Sequence, residues 1–298
     1  MNPTKAVMAA AVVGVLGGCA NLHHEARAAP PTTAAATAAT VATTTTTEPA
    51  PSVTTATTAP PPTTAPPPTT STTHPPVTAP ATTEPRVAGG CPSNLASSLT
   101  STGSARQLIT VDASSYSTTY ASVELWQRSG SCWEPAAGPW TGRIGANGFS
   151  DHHHEGDDTS PTGFYGLGPV IYGNASNPGV QETYHHLVCG DWWDEDPNSP
   201  EYNTFQHVAC GTKPSFGGGS EALWTETAPY PSFAVIDYNT GPIVRGAGSA
   251  IFFHADTGSP TVGCVSVPLA DLDQALRWLD PADSPAFVMG PAGEIGRF

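Results

Sequence analysis

A histidine and a cysteine near the C-terminal end have the types and spacing for nucleophilic catalysis. The apolar run Ala250-Ile251-Phe252-Phe253 ends in His254, and a short Gly/Ser/Pro loop then leads to Thr261-Val262-Gly263-Cys264. A strand end followed by such a loop can return the chain so that imidazole meets thiol. Cysteine attacks as the thiolate, which a neighbouring imidazolium or a helix N-terminus stabilises, and backbone N–H groups around Gly263 and Cys264 are placed to receive an oxyanion. Gly263 lets the backbone approach closely. Taken singly, a cysteine is more often a small buried hydrophobe and a histidine a satisfied polar side chain. Their combination points to chemistry.

The elements that must position this pair are mostly strands. Gln107 to Asp112, Ala121 to Arg128, Phe233 to Tyr238, Ala250 to His254 and Ala286 to Met289 are apolar runs between Ser, Thr and Gly clusters, which predicts a mainly β domain. One helix is predicted after Ser266. Pro268 suits its first turn, and Leu269, Leu272, Leu276 and Leu279 recur at helical spacing until Asp280-Pro281 stops it. Its start follows closely behind Cys264.

The N-terminal third is of another kind. Lys5 precedes an apolar stretch from Ala6 to Val15 and then Leu16-Gly17-Gly18-Cys19, the pattern of a bacterial lipoprotein signal, too short to cross a bilayer comfortably. Residues 1–18 are thus expected to be a signal peptide and Cys19 the lipidation site; an ordinary secretion signal followed by an incidental cysteine is the alternative. Either way the protein is exported. From about Pro30 to Val87 the sequence is almost only Thr, Pro and Ala, with too little apolar surface to offset the entropy of folding. Residues 19–87 therefore read as a disordered linker, and at roughly 3.1 Å per residue in polyproline II segments it would reach well over ~100 Å from a membrane. Residues 88–298 read as one domain. Of ten basic and twenty-five acidic residues, three of each precede it, so the whole formal charge of −15 resides in the domain, which argues against a nucleic-acid partner.

With Cys19 assigned to lipid, five cysteines remain, and an odd number in an exported protein leaves a free thiol. Pairing by proximity joins Cys91 to Cys132 and Cys189 to Cys210 and leaves Cys264 over. Two histidine clusters raise a metal alternative: His152-His153-His154-Glu155 with Asp157 and Asp158, and His185-His186 with Cys189 and Asp191. Neither has convincing ligand spacing, because neighbouring strand residues face opposite ways, and an exposed polar loop is the better reading for the first. No metal and no cofactor are expected.

The stretch from His254 to Cys264 resembles the His…Ser-His-Gly-Cys signature of the L,D-transpeptidase catalytic domain (YkuD-like), with Thr261 and Val262 in place of its Ser-His. Glu155-Gly156-Asp157-Asp158-Thr159-Ser160-Pro161-Thr162-Gly163 resembles the Gly-Asp-x-x-Thr-Pro-x-Gly segment of that family with Ser160 for its Thr, and Trp193-Asp194-Glu195-Asp196-Pro197 with Tyr202-Asn203 resembles a loop in one bacterial branch. Two features depart from the pattern: Ser266 stands where many members carry Arg or Asn, and the interval from His254 to Cys264 is short. Both bear on substrate contacts more than on the nucleophile.

The resemblance implies a β-sandwich catalytic domain with a few short helices, in which Cys264 attacks a peptidoglycan stem peptide and the carbonyl of Ala255 orients His254. In such enzymes the bond between the diamino acid and D-Ala is cleaved through a thioester, and the acyl group passes to an amine of another stem. Thr261, Ser266 and Arg245, the last of these suited to a stem carboxylate, are the candidate substrate-binding residues; for Arg245 a solvated surface role is the rival reading. A carboxypeptidase that uses water as acceptor and a non-catalytic wall-binding lipoprotein remain as alternatives. The expected setting is the bacterial envelope, with the protein a monomer, anchored to the membrane through Cys19 and reaching the wall.

Overall fold

The computed structural model describes residues 90–298. The expected signal peptide over 1–18, the lipidation candidate Cys19 and the linker over 19–87 lie outside the described residues. Along the chain run β1 (Gln107–Ala113), β2 (Tyr120–Ser129), β3 (Cys132–Arg143), β4 (Phe149–Ser150), β5 (Ser160–Pro161), β6 (Gly163–Gly173) and β7 (Thr183–His186). There follow β8 (Asp191–Asp194), β9 (Thr204–His207), β10 (Glu221–Ala222), β11 (Phe233–Ile236), β12 (Phe252–Ala255), β13 (Val265–Val267), helix α1 (Leu269–Trp278) and β14 (Ala286–Pro291). The expectation of a mainly β domain with few helices holds.

Nine strands form one sheet in the order β11-β12-β13-β3-β2-β1-β14-β6-β7, and β6 also pairs with β11, so eight of them close into a ring. A three-stranded sheet, β10-β8-β9, stands beside it. The central strands are apolar on both sides because both sides are covered. On β12, Phe253 and Ala255 enter a core shared with Val265, Val267 and the α1 residues Leu272, Ala275 and Leu276. Phe252, one residue out of phase, joins a second cluster with Trp193, Leu223, Tyr230 and Phe233.

Disulfides link Cys91 to Cys132 and Cys189 to Cys210, and Cys264 is the free cysteine among the described residues. The first bridge ties the entry segment to the start of β3. The second joins the loop before β8 to the chain after β9, beside the three-stranded sheet.

Candidate active site

β12 and β13 run parallel, with His254 opposite Ser266. Directly paired residues share a face, as do residues two apart on one strand. His254 and Ser266 therefore face the same way, opposite to the side on which α1 packs, while Cys264 immediately precedes β13 beside the residues that lead into β12. α1 starts at Leu269, beyond β13, so the help to a thiolate expected from a helix N-terminus is not built into this fold.

The thiol of Cys264 donates to the carbonyl of Ala250 at 3.1 Å and accepts from the Phe252 amide at 3.3 Å. Ala250 takes a left-handed conformation, φ 53°, which costs a non-glycine residue energy and aims its carbonyl at the sulfur. Burial pushes the Cys264 thiol far above its usual range, and the carboxyls of Glu221 and Glu195 push it the same way. His254 is 7% exposed, and its Nδ1 lies 2.8 Å from the carbonyl of Ala255. A carbonyl can only accept, so Nδ1 carries the proton and Nε2 is left as an acceptor. Burial holds the imidazole pKa down at about 4, and the ring of Tyr230 stands edge-on to it at 5.6 Å. No hydrogen bond joins His254 to Cys264 in this arrangement. The resting pair is a neutral thiol and a neutral imidazole.

The turn into Cys264 is braced from within. Gly263 has φ 148°, and a Cβ there would come within 3.0 Å of the Thr159 carbonyl and 3.1 Å of Ile251, so only glycine fits. Thr261 is buried; its hydroxyl accepts from the Gly263 amide at 3.2 Å and donates to the Cys264 carbonyl at 2.6 Å. The Ser160 hydroxyl donates to the Gly263 carbonyl at 2.6 Å, which brings the Thr159-Ser160-Pro161 stretch against the Gly-Cys turn. With the Gly263 amide occupied, the Cys264 amide is the donor left beside the sulfur, and it favours the thiolate.

Cys264 opens onto a cavity of about 330 Å³ that also receives Gly263, His153, Glu155, Glu195 and Glu221. Glu155 accepts from Ser249 at 2.8 Å and from Tyr202, and Glu221 accepts from Tyr230 at 2.7 Å. Burial, together with Glu221 and Glu155, lifts Glu195 well above the carboxylate range, and burial likewise raises Glu221. One Glu195 oxygen is buried without a partner.

The remaining candidates are dispersed. Arg245 is exposed in the loop after β11 and does not line this cavity. Ser266 is 1% exposed and its hydroxyl has no partner. His153, read from sequence as part of an exposed loop, is buried: its Nδ1 meets Asp157 at 2.9 Å and Thr159 at 3.1 Å, and its ring lies against Tyr238. His185 and His207 instead bracket the fully buried Asp191, at 2.8 and 2.6 Å. Sequence reasoning missed His207, which shares no local pattern with the 185–191 segment.

The model of one family, the L,D-transpeptidase catalytic domain (YkuD), matches residues 106–288. No curated protein and no solved structure matches the chain.

Proposed function

The chain belongs to the YkuD family of L,D-transpeptidase catalytic domains, which act on peptidoglycan peptides, and from that membership we propose that Cys264 is its nucleophile and His254 its proton carrier. The observation that supports this most is that Cys264, just before β13, bonds to the segment leading into the parallel strand β12, which carries His254 with Nδ1 turned to Ala255 and Nε2 left to accept. Stem peptide binding would draw the thiol hydrogen from Ala250 to Nε2 as sulfur attacks the carbonyl between the diamino acid and D-Ala. The Cys264 amide receives the oxyanion. Collapse of the tetrahedral species breaks the C–N bond, the imidazolium protonates the leaving D-Ala, and a thioester remains. An amine of a second stem then attacks the thioester, gives its proton to Nε2, and the thiol is regenerated. Domain boundaries of 1–18, 19–87 and 88–298, with lipid on Cys19, would place this chemistry at the end of a tether in the cell wall.

The test is incubation of the protein with a tetrapeptide stem and an amine acceptor, followed by mass spectrometry. A D-Ala-depleted adduct on Cys264 and a cross-linked product are expected. Undiminished product from Cys264→Ala would exclude Cys264 as nucleophile, and hydrolysed stem without cross-link would make the protein a carboxypeptidase.

A further inference from the structure

The cavity onto which Cys264 opens is lined by hydrogen-bond acceptors. Glu155 accepts from Tyr202 and Ser249 through Oε2, and Glu221 accepts from Tyr230 through Oε2, so Oε1 of each is left over. His153 adds a third. It is 9% exposed, and its Nδ1 faces the Asp157 carboxylate at 2.9 Å, so Nδ1 carries the proton and Nε2 can only accept. The ring edge lies beside the Gly-Cys turn: a Cβ on Gly263 would stand 3.5 Å from its Cε1, and the next ring atom, Nε2, has no partner among the described residues.

These acceptors have no cation to serve. Neither lysine nor arginine lines the cavity, and among the described residues no three acidic, histidine or cysteine side chains converge as the ligands of one metal ion would. Burial raises the Glu221 carboxyl, and burial with the Glu221 and Glu155 carboxyls lifts Glu195 to about 9, so at rest the cavity holds protons in place of the missing cation. A cation that entered would take over that role, and the displaced proton would pass to solvent. Ile251 and Val262, the latter 75% exposed, give the same space an apolar flank. Unused acceptors and hydrocarbon around about 330 Å³ are the complement of an alkylammonium, which carries three N–H donors on an aliphatic stem.

We propose that this cavity binds the side-chain ammonium of a diamino acid, held by Glu155, Glu221 and His153; this rests on the assignment of Cys264 as nucleophile. Two such groups meet Cys264 in the reaction. In the stem that is attacked, the aliphatic side chain leaves the backbone one atom from the carbonyl that joins the sulfur. In the stem that resolves the thioester, the amine must approach that same carbonyl. Either brings its nitrogen into the space beside the sulfur, and the cavity thereby selects a diamino acid over a residue without the amine.

The test uses the full-length protein. With Cys264→Ala in place, calorimetry compares a synthetic tetrapeptide stem carrying a free side-chain amine on its diamino acid with the same stem acetylated there. The free amine is expected to bind about thirtyfold tighter, the effect of removing one partner of a buried charged hydrogen bond. Added Glu221→Gln, whose amide carbonyl can keep the Tyr230 bond while its NH2 replaces Oε1, should bring the ratio within about threefold. Added Glu134→Gln, on an exposed part of β3, should leave it. A ratio that survives Glu221→Gln overturns the proposal, as does equal binding of the two stems by the parent. Should Glu221→Gln fail to fold, Glu155→Gln is judged by the same ratio. With Cys264 intact, mass spectrometry then separates the two sources. If the attacked stem fills the cavity, acetylation slows acylation in the wild type and not in Glu221→Gln. If the resolving stem fills it, acetylation leaves acylation alone, and the acceptor concentration for half-maximal transfer rises about thirtyfold in Glu221→Gln. Acylation and transfer both unmoved by Glu221→Gln overturn the proposal. Absence of any adduct on Cys264 in the wild type unseats the nucleophile instead, and the binding ratio alone then judges the cavity.

Discussion

The sulfur of Cys264 and the carbonyl of Ala250 are hydrogen-bond partners at 3.1 Å, and Ala250 is held in a left-handed conformation to make them so. The thiol at rest is thus a donor, tied down before any substrate arrives, and burial together with the carboxyls of Glu221 and Glu195 holds its pKa up.

This predicts sluggish alkylation. Iodoacetamide should modify Cys264 slowly near neutral pH, and Glu221→Gln, which removes a nearby ionisable carboxyl but keeps an acceptor for Tyr230, should lower the thiol pKa. A rise of about tenfold in alkylation rate at pH 8 corresponds to one pKa unit. An unchanged rate would mean that Glu221 is uncharged there or does not act on the sulfur.

Acid stability should depend on His254. Its folded pKa of about 4 lies below the 6.5 of an unperturbed imidazole, so the unfolded chain takes up a proton first as pH falls. The stabilisation is present above pH 6.5 and is lost between there and about pH 4, amounting to about 3 kcal/mol. His254→Asn, whose amide can still donate to Ala255, should flatten this part of a urea-denaturation profile against pH. A slope equal to that of the wild type would count against the buried neutral imidazole.

Thr261→Val should leave the Gly263 amide and the Cys264 carbonyl short of a partner. The expected loss is about 1–3 kcal/mol in urea unfolding, with slower acylation of Cys264 as the turn loosens. Full stability together with full acylation would show that Thr261 is dispensable to the turn.

Opening the Cys189–Cys210 bridge, which spans 21 positions, should cost about 3 kcal/mol by the loop-entropy relation. Calorimetry of the Cys189→Ala, Cys210→Ala double variant checks this. The effect should be smaller if the unfolded chain retains structure around that loop.

Much of this was legible in residue order. The free thiol followed from cysteine parity, and α1 from leucine spacing closed by Pro281. β1, β2, β11 and the 286–289 part of β14 read clearly because no Gly or Pro interrupts them. β3 and β6 did not, since Pro135, Gly138, Pro139 and Gly142 interrupt the first and Gly166, Gly168 and Pro169 the second. Those residues are accommodated by a register shift opposite Leu125 and by close approaches such as that of Gly142 to Ser266. Ala250 and Ile251 looked like strand but lie before β12, because Ala250 turns left-handed at the sulfur. Glu155 and Glu195 stand in segments singled out above and Glu221 in none, and their meeting at Cys264 was not legible because they are far apart in sequence and only the fold of the loops brings them together.

The strand that leads out of Cys264 is an interior one, with β12 on one side and β3 on the other. Its backbone groups face neighbours on both flanks, so an incoming peptide cannot dock there by strand addition, as it can at a free sheet edge. At this strand, recognition of the stem then falls to side chains and to the loops around the cavity. Those parts can change in sequence without unravelling the ring, so variants of this scaffold can acquire a new substrate preference while keeping the same nucleophile.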